Sequence, residues 1–339
     1  MVRCQDIENE AVLLAYLRQT GRIGEEEAPG LQILAGGVSN RTVLMQRTNG
    51  QAWVLKQALP KLRVEVDWFS DPARIVREAL ALQWLGKWLP KEHTVPLVFL
   101  DRQNHILAMQ AVSYPHQNWK TLLLDGRLIH HHVHQFARLL AIIHRRALED
   151  REDAAKDFAD RSFFQSLRLE PYYAYTGERE AGAKVFLRRL ITETLQRDDT
   201  VVHGDYSPKN ILVHGGNLIP LDHEVMHWGD PAFDIGFSLT HFLSKANHLA
   251  PRRMDFARAA QNFWMTYGLH LGPVPWLEGF EARCVKHTLA CLLARVRGRS
   301  PLEYLNAGEA DRQRETVLQL MQDSPGSMEA LVNQFTQNL

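Results

Sequence analysis

Cysteine is scarce in this sequence of 339 residues, which contains only Cys4, Cys284 and Cys291. An odd number of cysteines at such wide spacing fits neither a disulfide framework nor a zinc site. Long apolar runs are missing too, because no uninterrupted stretch approaches the ~20 residues that a membrane span requires. The first residues also lack the apolar core of a signal peptide. We therefore expect a cytoplasmic protein that has no membrane partner.

An excess of charge of either sign is likewise absent. Lys and Arg together number 39, and Asp and Glu together also number 39, so the formal net charge is zero. Without a basic excess, no nucleic-acid partner is expected. Apolar residues make up 45% of the chain and charged residues 23%, which is the balance of an ordinary globular protein. The chain is long enough for two lobes, each with its own core. The oligomeric state stays open, a homodimer included.

The first third of the chain predicts an antiparallel sheet with one inserted helix. Asn49-Gly50 is a strong hairpin signal between two of the strand patterns. Asp71-Pro72 opens a helix that continues to about Leu89 and separates the third strand from the fourth, with Asp71 as its N-cap. The predicted strands cover residues 31–35, 42–47, 52–57, 97–100 and 105–110.

The remainder of the chain is mostly helical in pattern. Residues 200–221 interrupt the helices with short strand signals around a polar loop. We therefore predict an α+β protein with a small five-stranded antiparallel N-terminal lobe, residues 1–111, and a larger helical C-terminal lobe, residues 112–339. The predicted helices cover residues 129–148, 178–197, 232–247, 252–267, 277–296 and 309–322.

The polar loop carries the chemistry that can be recognised from residue types. Phosphoryl transfer needs one carboxylate to orient the attacking hydroxyl and hard oxygen ligands to hold magnesium against the phosphates. In the segment 203–210, which reads HGDYSPKN, Asp205 suits the first role and Asn210 the second. Asp222 and Glu224 follow after two strands and add further carboxylate ligands. Each residue alone is typical of a turn, but the ordered set favours a catalytic loop.

These residues resemble the catalytic segment of the aminoglycoside phosphotransferase and choline kinase group, which is related to the protein kinases. The resemblance implies a bilobal protein-kinase-like fold, with ATP and Mg²⁺ as cofactors. It implies that Asp205 is the catalytic base and that Asn210 and Asp222 bind magnesium. The later segment 229–236, which reads GDPAFDIG, matches the same group, where Asp234 would steady the catalytic loop.

The N-terminal lobe agrees with this resemblance. Lys56 ends an apolar strand, as the phosphate-binding lysine of the protein kinases does. Its expected partner is Glu78 on the following helix, although a surface lysine and a helix-surface glutamate are the alternative. The loop 36–40, in which Gly36, Gly37, Ser39 and Asn40 follow the first strand, offers backbone N–H groups to phosphates. An ordinary hairpin turn is the alternative for this loop. The connector Gln110–Val112 is where the resemblance places the adenine.

The segment 56–75 looks similar to the methylthioribose kinases, which carry a tryptophan-bearing loop after the lysine strand. The similarity covers nearly all of the sheet lobe and the catalytic core, where Asp222 and Glu224 also match, and it weakens in the substrate region. Those kinases also have an adjacent arginine pair late in the chain, which is missing here. The nearest basic cluster contains Arg295, Arg297 and Arg299, which could bind an anionic or polyhydroxylated acceptor or simply form a solvated helix C-terminus. The acceptor therefore stays undefined.

The sequence predicts a kinase that phosphorylates a hydroxyl of a small molecule, such as a sugar, a thiosugar, an amino alcohol or an aminoglycoside-like compound. A nucleotide-binding regulator without transferase activity is one alternative, and a protein kinase is another. His130, His131, His132 and His134 predict a solvated helix start rather than a metal site, because magnesium does not favour imidazole.

Overall fold

The computed structural model describes residues 3–34, 37–64 and 67–339. The chain divides into two compact units, Met1–Tyr114 and Pro115–Leu339. In each unit, short strands and helices follow the apolar patterns of the sequence. No described helix combines the length and the apolar character needed to cross a membrane.

The first unit is built on an antiparallel sheet whose described strands follow the order β1-β2-β3-β5-β4. The fold class predicted from the sequence is confirmed, and helix α2 lies between β3 and β4 in the chain as expected. The N-cap of α2 is Ala73 rather than the predicted Asp71, whose carboxylate instead accepts the N–H of Ala73 at 2.8 Å. The elements are α1 Glu10–Gln19, β1 Gly30–Ile33, β2 Asn40–Gln46, β3 Ala52–Ala58, α2 Arg74–Trp88, β4 Leu97–Asp101 and β5 Ile106–Gln110.

The core of this unit lies between α1 and one face of the sheet. Leu13 and Leu17 of α1 are fully buried and belong to the same apolar cluster as Leu55 of β3. Because side chains alternate along a strand, one face of the sheet can be apolar while the other carries polar groups. Lys56 follows Leu55 on β3 and is therefore directed to the opposite face.

The second unit is mainly helical, with two small described sheets. The helices predicted from residue 129 onward are all present, although the one predicted at 178–197 begins later, and α13 had not been predicted. An irregular helical segment at Gln165–Ala174 was also missed. The helices are α3 Trp119–Leu124, α4 His130–Glu149, α5 Arg151–Asp157, α6 Ser162–Phe164, α7 Tyr175–Arg179, α8 Lys184–Leu195, α9 Ala232–His248, α10 Arg253–Leu271, α11 Phe280–Arg297, α12 Ala307–Gln322 and α13 Met328–Gln337.

Two small sheets hold the polar loop between them. Strand β6, Gln117–Asn118, pairs with β8, Ile211–His214, which pairs with β9, Asn217–Pro220. Strand β7, Thr200–Val202, pairs antiparallel with β10, His227–Gly229. The segment between β7 and β8 therefore emerges from one sheet and enters the other, and it has its two ends fixed by strand hydrogen bonds.

Helices α9 and α11 pack closely in the centre of this unit. Gly236 of α9 meets the backbone of α11, and a Cβ at this position would lie 2.5 Å from the carbonyl carbon of His287. Only glycine allows the two helix backbones to approach so closely. The contact fixes the position of α9, which carries residues of the candidate active site described below.

Candidate active site

Asp205 lies in the segment between β7 and β8, where the chain makes a tight bend. Gly204 precedes it with a φ of 77°, in the left-handed region that favours glycine. A Cβ on Gly204 would lie 2.9 Å from the Cγ2 atom of Val225. Both backbone conformation and space therefore require glycine before Asp205, and the bend presents Asp205 at the start of the loop.

Asp234, in the first turn of α9, stabilises this bend by accepting hydrogen bonds from its backbone. Its carboxylate accepts the backbone N–H groups of His203 at 2.6 Å and of Gly204 at 2.8 Å. His144 lies 3.1 Å from the same carboxylate, with no exposed surface on either side chain. Burial would raise the pKa of Asp234, but hydrogen bonding and the charge interaction with His144 outweigh it and lower the pKa. The role expected for Asp234, steadying the loop, is confirmed.

The two carboxylate oxygens of Asp205 have different surroundings. Oδ2 accepts the side-chain amide of Asn210 at 2.7 Å and lies 2.9 Å from Nη2 of Arg168 and 3.4 Å from Nζ of Lys209. Oδ1 is buried and has no hydrogen-bond partner among the described residues. Because buried carboxylate oxygens are normally hydrogen-bonded, one oxygen orients the group and the other is left for a further partner.

The interaction of Arg168 with Asp205 was missed from the sequence. Arg168 is 7% exposed, and its Nε also donates to the carbonyl oxygen of Gly204 at 2.7 Å. Burial alone would lower the pKa of Arg168, but the negative charge of Asp205 and several smaller contributions together outweigh it, and the net shift is upward. Smaller contributions of the same sign come from Asp222 and Glu224. A single arginine in an irregular helix, 37 positions before Asp205 in the chain, carries no motif that could have revealed it.

Asn210 and Asp222 are brought together by the base of the β8-β9 hairpin. The backbone N–H of Leu221 donates to the carbonyl oxygen of Asn210 at 2.8 Å, so Asp222 begins where that pairing ends. The amide nitrogen of Asn210 is engaged with Asp205, which leaves its amide oxygen available to a further partner. Asp222 has a φ of 65°, unusual for a residue other than glycine. Strained backbone of this kind is common at binding sites.

A pair of buried histidines lies beneath the loop. The backbone N–H of Asp205 donates to Nδ1 of His203 at 3.2 Å, so the proton of the neutral ring lies on Nε2. That Nε2 lies 2.9 Å from Nδ1 of His223 and donates to it. Burial lowers the pKa of His203, which keeps the ring neutral. His203 therefore supports the loop, and His223 links it to the segment that carries Asp222 and Glu224.

The candidate residues of the first unit include Lys56 on β3, Glu78 on α2 and Gln110 on β5. Lys56, on β3, donates to Oε1 of Glu78 at 2.6 Å, and the two side chains are buried. The predicted pairing is thus present, and the surface alternative for these residues does not apply. Gln110 ends β5 with an exposed side chain, and Val112 follows it with a half-buried one.

The phosphate-loop candidates lie between β1 and the first residue of β2, which is Asn40. Ser39 and Asn40 are buried, and the Asn40 amide donates to Oγ of Ser39 at 3.0 Å. The carbonyl oxygen of Ser39 accepts from the guanidinium of Arg74. Gly37 is open around its Cβ position, where the nearest atom is a backbone oxygen at 3.6 Å. Gly36 lies outside the described residues.

The three late arginines have different environments. Arg295 of α11 is 5% exposed and donates to the Tyr172 hydroxyl at 2.8 Å. Arg297 pairs with Glu180 at 2.5 Å, and Arg299 pairs with Glu170 at 3.6 Å. Of the three, Arg295 therefore reaches the surroundings of Arg168, and the other two form ion pairs elsewhere in the unit.

The histidine tract occupies the first turns of α4, as predicted. His130, His131 and His134 are exposed, whereas His132 is buried. His134 lies 2.8 Å from the Thr266 hydroxyl. The rings therefore point in different directions along the helix, which is the arrangement expected of a helix start.

Comparison with known proteins gives a consistent result. The chain is 22% identical to a methylthioribose kinase of Yersinia pestis (strain Pestoides F) over 319 residues, which cover 80% of this chain and 77% of that protein. Among solved structures, a choline/ethanolamine kinase family protein from Mesorhizobium loti matches with a TM-score of 0.55 at 13% identity, covering 98% of this chain and 100% of that one. The streptomycin–ATP–APH(2″)-IIa ternary complex matches with a TM-score of 0.51 at 14% identity, covering 92% and 98%. The two structures show a shared fold.

A match to the sequence profile of a protein family shows which family the chain belongs to. Residues 30–269 match the profile described as "Phosphotransferase enzyme family", which is more than half of the chain. The matched range contains Lys56 and Glu78 of the first unit and the loop with Asp205, Asn210 and Asp222 of the second. The chain belongs to the phosphotransferase enzyme family.

Proposed function

We propose that this protein transfers the γ-phosphoryl group of ATP, with Mg²⁺, to a hydroxyl group of a small molecule. The observation that carries the proposal is the asymmetry of the Asp205 carboxylate. Oδ2 is held by Asn210, Arg168 and Lys209, whereas Oδ1 is buried and has no hydrogen-bond partner in the part of the chain that the structure describes. A carboxylate with one oxygen anchored and one oxygen available is suited to accept a hydrogen bond from an acceptor hydroxyl.

Asp205 acts on the acceptor in this proposal. Its Oδ1 orients the hydroxyl for in-line attack on the γ-phosphorus. A bond forms between the acceptor oxygen and the phosphorus, and the bond between the phosphorus and the oxygen bridging to the β-phosphate breaks. ADP leaves, and the hydroxyl proton passes to Asp205. Positioning and charge neutralisation account for most of such catalysis.

The metal would be held by Asn210 and Asp222, with Glu224 as a further ligand. One amide oxygen and two carboxylates are hard donors, which is the set that Mg²⁺ prefers. Asn210 supports this assignment because its amide nitrogen already donates to Asp205, so its oxygen is the atom that remains. When bound, Mg²⁺ neutralises charge on the phosphates.

We assign nucleotide binding to residues 1–111 and catalysis and acceptor binding to residues 112–339. Lys56, oriented by its hydrogen bond to Glu78, would contact the α- and β-phosphates. Gly37, Ser39 and Asn40 would line the phosphates. Gln110 and Val112 would border the adenine.

The cysteines favour a reducing compartment. Cys4, Cys284 and Cys291 are buried free thiols, which is the form that cysteine keeps in the cytoplasm. We therefore place the enzyme there.

The proposal is tested by incubating the purified protein with ATP, Mg²⁺ and a panel of hydroxyl-bearing metabolites and following new phosphate esters by ³¹P NMR. Formation of a phosphorylated metabolite and of ADP in equal amounts is the expected result. Ester formation on casein-like proteins but on no metabolite would favour a protein kinase. Tight nucleotide binding without any transfer, across a panel that includes neutral, cationic and anionic acceptors, would favour a regulator.

A further inference from the structure

A group of basic side chains is buried on helices α9 and α11 and in the segment 165–174 of the second unit. We call Arg168, His241, Lys245 and Arg295 the basic cluster. Their exposed fractions are 7%, 4%, 0% and 5%. Basic residues are rarely buried together, because a buried charge loses its hydration. Burial lowers the pKa of His241 well below its ordinary value, so its ring is neutral and this cost falls on the other three residues. Such an arrangement calls for an explanation other than stability.

Lys245 is the most unusual member. Its Nζ donates to the carbonyl oxygen of His241 at 3.3 Å and lies 5.1 Å from the centre of the Tyr304 ring. Among the described residues, no carboxylate lies within 4.0 Å of this ammonium group. Burial lowers the pKa of Lys245 to about 7, and the nearby charges of Lys120 and Arg295 act in the same direction.

Lys120 and Glu303 act on this charge in opposite directions. They form an ion pair with each other. Arg168 is likewise paired, with Asp205 at 2.9 Å. Arg295 hydrogen-bonds to neutral oxygens of Tyr172 and Ser300, and it too has no carboxylate within 4.0 Å among the described side chains. Lys245 and Arg295 therefore contribute positive charge that the surrounding residues leave uncompensated.

The basic cluster extends to Asp205. The guanidinium groups of Arg295 and Arg168 each lie 5.7 Å from the centre of the Tyr172 ring. Arg168 continues from that ring to Oδ2 of Asp205. A second connection runs through Phe237, whose ring centre lies 5.8 Å from Arg168 and 5.3 Å from the ring of His241.

Several buried polar atoms of this region have no partner in the described part of the chain. They are Nε2 of His241, Oγ of Ser244 and Nε of Arg295. Buried donors are normally hydrogen-bonded, and those that are not require an explanation. Unpaired positive charge and unpaired donors in one place are the features of a site for an oxygen-bearing anion.

We propose that the basic cluster binds an anionic oxygen group, phosphate or carboxylate, on the same molecule whose hydroxyl is presented to Asp205. The acceptor is then a hydroxy compound that carries an oxyanion, such as a sugar phosphate or a sugar acid. This inference rests on the proposed function and defines the substrate class of its site. A cationic acceptor would be repelled by Lys245 and Arg295. A neutral sugar would satisfy donors but leave the positive charge uncompensated.

The test uses acceptors that share one skeleton and differ in charge: ribose, ribose 5-phosphate and ribonate, with choline and an aminoglycoside as cationic members. Binding is measured by titration calorimetry at pH 6.0, below the pKa of about 7 of Lys245, and phosphoryl transfer is measured separately by ³¹P NMR. We expect at least one anionic member to bind at least ten times more tightly than ribose. The phosphate and carboxylate members together show which oxyanion is preferred.

The variant Lys245→Met keeps the length of the side chain and removes its charge. Because it removes a buried charge, it should fold at least as well as the wild type. We expect the preference for the anionic member over ribose to fall about tenfold or more, and Arg295→Gln to have a similar effect. Lys184→Met is the control, since Lys184 lies on α8 in a surface ion pair with Glu178 at 2.8 Å.

The outcomes separate the two proposals. Equal binding of charged and neutral members, or an unchanged preference in Lys245→Met, overturns the anion site. Efficient transfer to ribose or to a cationic member with weak anion binding overturns the anion site but supports the kinase. Tight anion binding that depends on Lys245, with no transfer from ATP to any member, supports the anion site and contradicts the proposed function.

Discussion

The guanidinium of Arg168 contacts two consecutive residues of the catalytic loop. Its Nε donates to the carbonyl oxygen of Gly204 at 2.7 Å, and its Nη2 lies 2.9 Å from Oδ2 of Asp205. The arginine thus orients both the backbone of Gly204 and the side chain of Asp205. Lysine cannot reproduce such a two-point contact, because its single ammonium lacks the planar fork of donors.

Arg168→Lys should therefore lower kcat by about tenfold or more while KM for ATP stays near the wild-type value. Arg168→Met should also destabilise the fold, by about 3–5 kcal/mol, because it leaves a buried carboxylate without its charged partner. Steady-state kinetics and urea unfolding measure the two effects. If Arg168→Lys keeps wild-type kcat, the arginine has only a structural role.

Asp205→Asn removes the proton acceptor and nearly preserves the shape of the side chain. We expect kcat to fall by about 10²–10⁴-fold, with nucleotide affinity close to that of the wild type. Titration calorimetry with a non-hydrolysable ATP analogue provides the second measurement. Asp198→Asn, at a carboxylate that is 66% exposed, is the matched control. Normal turnover in Asp205→Asn would remove Asp205 from the mechanism.

Asp222→Asn tests the metal assignment. Asparagine tolerates the left-handed backbone at this position better than most residues, so the fold should be retained. Loss of one carboxylate ligand should weaken binding of magnesium–nucleotide by at least about tenfold. Binding is titrated at several Mg²⁺ concentrations, with Asp311→Asn on the exposed face of α12 as the control. Unchanged affinity and unchanged Mg²⁺ dependence would contradict the role of Asp222.

Gly204→Ala combines a left-handed backbone with a contact of 2.9 Å to Val225. We expect a loss of about 2–4 kcal/mol in the free energy of unfolding and a larger relative loss of activity, because the shift displaces Asp205. Gly268→Ala is the control. It lies within α10 with no atom within 4 Å of the added Cβ, and it should gain about 0.5–1 kcal/mol.

Lys245 predicts a pH dependence of stability. Its pKa is about 7 in the folded protein, against an ordinary value of 10.5. Unfolding therefore takes up a proton between these values, so the free energy of unfolding rises with pH in that window. Relative to Lys245→Met, the wild type should gain about 2–3 kcal/mol between pH 7 and pH 9. The groups that face Lys245 are Lys120, His241, Arg295, Glu303 and Tyr304.

Urea unfolding of both proteins across this pH range measures the difference. Below about pH 6 the difference should be flat, because the lysine is then protonated in the folded and the unfolded chain alike. A difference that does not change between pH 7 and pH 9 would mean that Lys245 does not titrate near neutrality.

The predictable part of the fold was local. Asn49-Gly50 and the alternation along β2 and β3 specify a hairpin through short-range contacts, and the order of polar residues around Asp205 specifies a catalytic loop. The irregular segment Gln165–Ala174 contains Pro171 inside a helix, which propensity alone argues against. Its position depends on packing against distant residues, such as the bond from the Arg299 backbone N–H to the carbonyl oxygen of Pro171 at 3.1 Å.

The residues of the candidate site likewise fall into those that local sequence predicts and those that depend on contacts between distant parts of the chain. Asp205, Asn210 and Asp222 could be proposed because they lie close together in the chain. Arg168, Lys245 and Arg295 could not be related to one another, since they lie on three separate elements. Arg168 and Arg295 meet at the ring of Tyr172, and Lys245 lies against the ring of Tyr304. Arg297 lies only two positions after Arg295 and is also an arginine, yet it forms an ion pair with Glu180. Residue type and spacing do not distinguish the two.

Helix α9 carries Asp234 in its first turn and Lys245 eleven residues later, roughly 16 Å along the axis. A single helix therefore sets the distance between Asp234, which holds the catalytic bend, and the buried ammonium group of Lys245. Because Gly236 seats this helix against α11, the spacing between its two ends is fixed. Any bulkier residue at position 236 would therefore displace the catalytic bend and the ammonium group together.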